Sequence, residues 1–186
     1  MSRPDCSRAG LGHSNPHDVN GILVPRVRER KLRLLVLGIG NILMADDGAG
    51  VHAVNALRRK PRAGVLIVEV GNALLAAVPL LCWADRVLVI DALHGQEPPG
   101  TLYFAKYSQI LQEPGSLSLH ELDLSAALAF MPSDARKPEV FVLGVQPRVL
   151  EVGLELSHEV AAAIPKIERF ASDKLVEWRR ERHSNG

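Results

Sequence analysis

From Lys31 onward, apolar positions fall into short runs that alternate with stripes of helical spacing. Leu32–Leu37 is a short, largely apolar run ending at Gly38 and Gly40, the pattern of a buried parallel strand. A helix follows, with Asp46 or Asp47 as its cap and Val51, Val54 and Leu57 on its apolar face. Gly64–Val70 predicts a second strand. Asn72–Trp83 predicts a second helix bent at Pro79, and Arg86–Ile90 a third strand with Asp91 at its carboxyl end. Thr101–Phe104 reads as an edge strand, and Ser118–Met131 as a helix whose apolar face includes Leu119, Leu122 and Ala126. Glu139–Val145 is the last strand, and Ser157 caps a closing helix that runs to about Arg179.

Strands alternating with helices predict βαβ units and a sheet covered on both faces. The expected fold is α/β: three αβα layers around a mostly parallel, doubly wound sheet of about five strands, with an order beginning 2-1-3. In that order ligands sit outside the carboxyl ends of strands 1 and 3, where the chain reverses direction across the sheet. Residues 1–30 break the pattern. Pro4, Pro16, Pro25, glycines and scattered arginines leave only the Ile22–Val24 patch, and the stretch reads as a disordered extension. Residues 31–178 form the expected domain and 179–186 a frayed basic tail.

Composition narrows the class. The 186 residues, 47% apolar and 23% charged, suit one globular domain. Lys and Arg number 22 against 21 Asp and Glu, so the chain lacks the basic excess of a nucleic-acid binder. The longest apolar run, Ala73–Ala84, is too short to span a bilayer and contains Pro79. Cys6 and Cys82 form no CxxC pair, and the reducing cytoplasm is the expected compartment. Nothing in the pattern calls for an obligate dimer, and a monomer is expected.

Several motifs fail on inspection. Gly38-Ile39-Gly40 invites a dinucleotide-binding reading, but Leu43 stands where a third small residue is needed, and Asp46 and Asp47 put negative charge where a pyrophosphate would lie. His120-Glu121 begins like a zincin helix, but the second histidine position holds Leu124. There is no GxSxG and no Walker A sequence. What remains is polar residues at one end of the sheet: Asp46 and Asp47 after strand 1, Asp91 ending strand 3, His94 beyond it, and His120 opening the third helix. Each has a bland structural explanation, as cap or surface residue. Two carboxylates and an imidazole converging on one rim also suit a metal site with open positions.

The stretch Leu37–Val51, read Leu-Gly-Ile-Gly-Asn-Ile-Leu-Met-Ala-Asp-Asp-Gly-Ala-Gly-Val, resembles the opening signature of the hydrogenase maturation endopeptidases. Val89-Ile90-Asp91-Ala92, Pro99-Gly100-Thr101, Ser118-Leu119-His120-Glu121-Leu122 and Leu143-Gly144-Val145-Gln146-Pro147 are similar to later elements of that family, in the same order. The resemblance covers about residues 32–175. Asn72 replaces a threonine of the family pattern, and Asp123 and Arg148 also depart from it. The resemblance implies a protease that trims the C-terminal extension of the immature large subunit of a nickel–iron hydrogenase. It implies metal ligands at Asp47, Asp91 and His120, and nickel carried by the precursor rather than stably bound by the protease. Gly38, Gly40, Asn41 and Asp46 are expected to contact substrate. With no serine or cysteine nucleophile in evidence, attack by water is the expected chemistry. The alternatives are a non-proteolytic chaperone that recognises nickel-loaded precursor, and a flavodoxin-type nucleotide-binding protein.

Overall fold

A computed structural model describes residues 17–19, 22–24, 32–60, 62–110 and 119–184, without the side chains of 17–19, 22–24, 119–122 and 182–184. The chain divides into two units, residues 1–31 and 32–186. In the first, β1 (His17–Val19) pairs antiparallel with β2 (Ile22–Val24), His17 opposite Val24. The remainder of the expected extension lies outside the described residues.

The second unit begins with β3 (Leu34–Ile39), then a 3-10 turn at Ala45–Gly48 leading into α1 (Ala49–Arg58) and β4 (Val65–Gly71). A 3-10 turn at Leu74–Ala77 precedes α2 (Val78–Trp83), then β5 (Arg86–Ala92) and β6 (Leu102–Lys106). The short α3 (Tyr107–Ile110) is followed by α4 (Leu119–Ala129), β7 (Glu139–Val145) and α5 (His158–Ser184). The five strands order as β4-β3-β5-β7-β6. All pairings are parallel except β6 with β7. The expected 2-1-3 start is therefore present as β4-β3-β5.

Every residue of β3 is buried, because both faces of the sheet are covered. Leu34 and Val36 join Val54 and Leu57 of α1 and Ile167 and Leu175 of α5 in one core. Leu35, Leu37 and Ile39 pack on the other face with Leu81 of α2 and Leu124 and Ala127 of α4. This period-two split explains a run that reads as almost continuously apolar. Each of these leucines contributes about 1.5–3 kcal/mol by leaving water.

Three local expectations are revised. Asp46 and Asp47 do not cap α1. They lie within the preceding 3-10 turn, which has no side-chain cap, and Gly48 is the residue before the helix. Pro79 does not bend a long helix. It occupies the first turn of the separate α2, where a missing N–H costs nothing. The short α3 was not anticipated. Ser157 does cap α5, its hydroxyl accepting the Val160 N–H at 3.4 Å. Among the described residues no helix is long and apolar enough to cross a membrane.

Candidate active site

Glycine chemistry shapes the carboxyl end of β3. A Cβ on Gly50, in the first turn of α1, would overlap the carbonyl oxygens of both Ile39 and Ile90. The helix thus starts wedged in the fork between β3 and β5, with no room for a side chain. A Cβ on Gly38 would likewise overlap the Gly50 carbonyl and the Val54 side chain, so strand and helix pack backbone to backbone. Gly40 has φ +114°, a left-handed value that disfavours other residues, and it lies against the Asp47 carbonyl.

The loop that follows is closed by its own polar groups. The Gly40 N–H donates to Gly71 O at 3.3 Å, and the Asn41 N–H donates to Asp47 Oδ2 at 2.7 Å. Asn41 Oδ1 accepts the Leu43 N–H at 3.0 Å, an Asx turn that fixes which end of the amide carries oxygen. Gly38 and Gly40 therefore serve close packing and turn geometry, and the N–H groups of Gly40 and Asn41 already have acceptors within the fold. The Asn41 Nδ2 amide is the donor left to face outward.

Asp46 and Asp47 are adjacent in sequence and opposite in circumstance. Asp46 is fully buried. Its Oδ2 accepts the Arg148 N–H (2.8 Å), the Val149 N–H (2.9 Å) and the Ser157 hydroxyl (2.8 Å), and its Oδ1 accepts the Ser157 N–H at 2.7 Å. Burial pushes this carboxyl upward, but the bonds from Val149, Ser157 and Arg148 outweigh it and hold the pKa below the usual carboxylate value. Asp46, expected beside the substrate, is turned into the protein. It ties the turn after β3 to the loop after β7 and to the start of α5. Asp47 is half-buried.

Asp91 lies next to Ile90 on β5, buried, with Oδ1 accepting the Ala92 N–H at 2.8 Å. The turn bearing Asp47 packs against β5, and α1 enters the same fork three residues later. Asp47 and Asp91 thus both lie at the carboxyl end of the sheet, on elements that pack against each other. His120 is the second residue of α4. The C-terminal residues of α4, Leu128 and Ala129, line a cavity of about 950 Å³ with Asp85, Arg86 and Glu139, at the starts of β5 and β7. The helix also packs against the Leu74–Ala77 turn after β4. Its N-terminal turn is therefore at the carboxyl edge, the edge of Asp47 and Asp91. The His120 side chain and Ser118 are outside the described residues. Among the described residues no three His, Cys, Asp or Glu side chains cluster as a metal site.

Two further residues carry more of the rim than their sequence positions suggest. Ser157 supplies two of the four bonds to Asp46. Gln146 is buried, and its Oε1 accepts the Gly95 N–H at 2.7 Å and the Tyr103 hydroxyl at 2.8 Å. Because a backbone N–H can only donate, the amide orientation is fixed, and Nε2 lies 3.4 Å from His94 Nδ1. A polar residue immediately after a buried strand is the signal that points to such a role.

The fold is a doubly wound α/β sheet with Asp47 and Asp91 beside its strand-order reversal. The profile of the hydrogenase maturation protease family (HycI) matches residues 51–174. The chain is 33% identical over 150 residues to the hydrogenase expression/formation protein HoxM of Azotobacter vinelandii, covering 77% of this chain and 72% of that one. It is 36% identical over 152 residues to the HupD protein of Bradyrhizobium diazoefficiens, covering 78% and 79%. Among solved structures, the hydrogenase maturating endopeptidase HybD from Escherichia coli superposes with a TM-score of 0.71 at 27% identity, covering 78% of this chain and 93% of the other. The chain belongs to the hydrogenase maturation protease family. It is an endopeptidase acting on the precursor of a hydrogenase large subunit.

Proposed function

We propose that this protease removes the C-terminal extension of a nickel–iron hydrogenase large subunit only after nickel has been inserted. In this reading the nickel arrives with the precursor, held there by thiolates, and Asp47, Asp91 and His120 complete its ligand set. Oxygen and imidazole donors without a thiolate hold free nickel weakly, yet they can recognise a metal already fixed by soft ligands. Metal loading then becomes a condition for productive docking. Water supplies the nucleophile. A carboxylate at the crevice orients it and takes its proton, the C–N bond breaks, and the proton passes to the departing amine. Asn41 Nδ2 donates to the peptide carbonyl beside that water. Asp46 positions the turn and does not touch substrate. The protein works as a monomer in the cytoplasm.

The observation that carries this reading is the wedged start of α1 between β3 and β5, which supports Asp47 of the turn before that helix and Asp91 of β5 serving one ligand. The test is processing of purified nickel-loaded precursor, followed by gel mobility and by mass spectrometry of the released peptide. Asp91→Ala and His120→Ala are expected to abolish release while circular dichroism stays native, and nickel-free precursor is expected to remain uncut. Release by both variants removes the ligand trio. Native binding of precursor with no peptide released by the unmodified protein favours a chaperone role instead.

A further inference from the structure

Exposed large apolar side chains are concentrated at the carboxyl edge of the sheet. Ile42 and Leu43 follow β3, Leu75 follows β4, and Leu150, Val152 and Leu154 follow β7. Val152 is 86% exposed, Leu154 68% and Leu43 56%. The first and last of these loops are locked together. Met44 and Gly153 form a parallel bridge, with Gly153 N–H donating to Leu43 O at 2.9 Å and Ala45 N–H donating to Gly153 O at 2.7 Å. Parallel pairing sets Leu43 beside Val152, at roughly the 4.8 Å spacing of neighbouring strands. The Asp46 carboxylate fastens the same two loops from below. The apolar side chains are thus exposed on a braced backbone. Soluble monomers rarely present such a patch unless something binds it.

Charge selects the occupant. Glu151 and Glu155 alternate with Leu150, Val152 and Leu154, are exposed, and have no ion pair among the described residues. The nearby cation, Arg148, is already paired with Glu159. Among the described residues the patch is therefore apolar with an unneutralised acidic fringe. It is also continuous with the crevice, since Leu43 and Asp47 belong to one short loop.

We propose that this braced rim is the docking surface for the folded body of the large-subunit precursor, which meets it with an apolar patch bordered by basic residues. Docking there delivers the C-terminal segment to the crevice, so specificity for one precursor resides in residues 42–43 and 150–155, apart from the groups that cleave. The inference rests on the endopeptidase reading above. Val152→Ser combined with Leu154→Ser is expected to raise KM for nickel-loaded precursor at least tenfold, with kcat within twofold and an unchanged melting temperature. Glu151→Lys combined with Glu155→Lys is expected to raise KM and to remove its dependence on ionic strength. If the unmodified protein cuts nothing, the function reading fails. If it cuts and both double variants keep its KM, the docking proposal fails alone. Sedimentation velocity covers the remaining occupant: a dimer of the unmodified protein that the serine variant dissolves, with KM unchanged, assigns the rim to a second copy of this chain and overturns the proposal.

Discussion

Replacing Asp46 by Asn tests the pinning of the rim with almost no change of shape. Three donors meet Oδ2 and one meets Oδ1. The amide keeps its oxygen where most donors converge, retaining the Arg148 and Val149 N–H bonds. Its NH2 group then faces the Ser157 N–H, donor against donor. One charge-assisted bond is lost, and the others weaken with the charge, for a cost of about 2–4 kcal/mol. Asp46→Ala strands three part-buried N–H groups and costs about 3–6 kcal/mol. At about 2–4 °C per kcal/mol for a domain of this size, Asn lowers the melting temperature by roughly 5–15 °C. The pH dependence has a definite sign. The folded-state pKa lies below the unfolded value of about 3.9, so the carboxylate's contribution is complete above about pH 5 and is lost as pH falls through the folded pKa. Urea unfolding followed by tryptophan fluorescence, from pH 8 down to 3, measures the gap between native protein and Asp46→Asn. A gap under 0.5 kcal/mol (order of magnitude) at pH 7, or one that widens on acidification, refutes the reasoning.

Gly50→Ala forces a methyl group against the Ile39 and Ile90 carbonyls, so α1 must leave the fork. A cost of about 3 kcal/mol or more is expected by chemical denaturation, and an unchanged midpoint contradicts the wedge. Asn41→Asp keeps the acceptor for the Leu43 N–H but deletes the Nδ2 donor. Stability should change by less than about 1 kcal/mol, while kcat/KM for precursor falls at least tenfold; full activity rules out the donor role. Asp47→Asn should stop peptide release while the melting temperature stays within a few degrees, in contrast to Asp46→Asn, and calorimetry beside a processing assay distinguishes the two neighbours.

The parallel strands of the main sheet were legible because each is a compact, mostly apolar run. Glu139–Val145 agrees to the residue, and the 2-1-3 start follows from the alternation of elements. Pro79 misled because a proline in the first turn of a short helix and a proline bending a long one read alike in sequence. For the site, the edge of the sheet that bears Asp47 and Asp91 followed from topology. The separate tasks of Asp46 and Asp47 did not, since the side chains are identical and the partners that single out Asp46 lie more than a hundred residues away. Gly38 and Gly40 looked available to a ligand because sequence shows an open backbone and hides the helix and carbonyl that fill it.

The bonds from Ser157 to Asp46 join positions 111 apart, and those from Val149 join positions 103 apart. During synthesis the loop after β3 emerges long before its fasteners do. A nascent chain that has completed four of the five main-sheet strands still lacks Arg148, Val149 and Ser157, the partners of the Asp46 carboxylate, and a product ending before Ser157 lacks two of its four bonds. The fastening of this edge is in this way deferred to the final stage of translation.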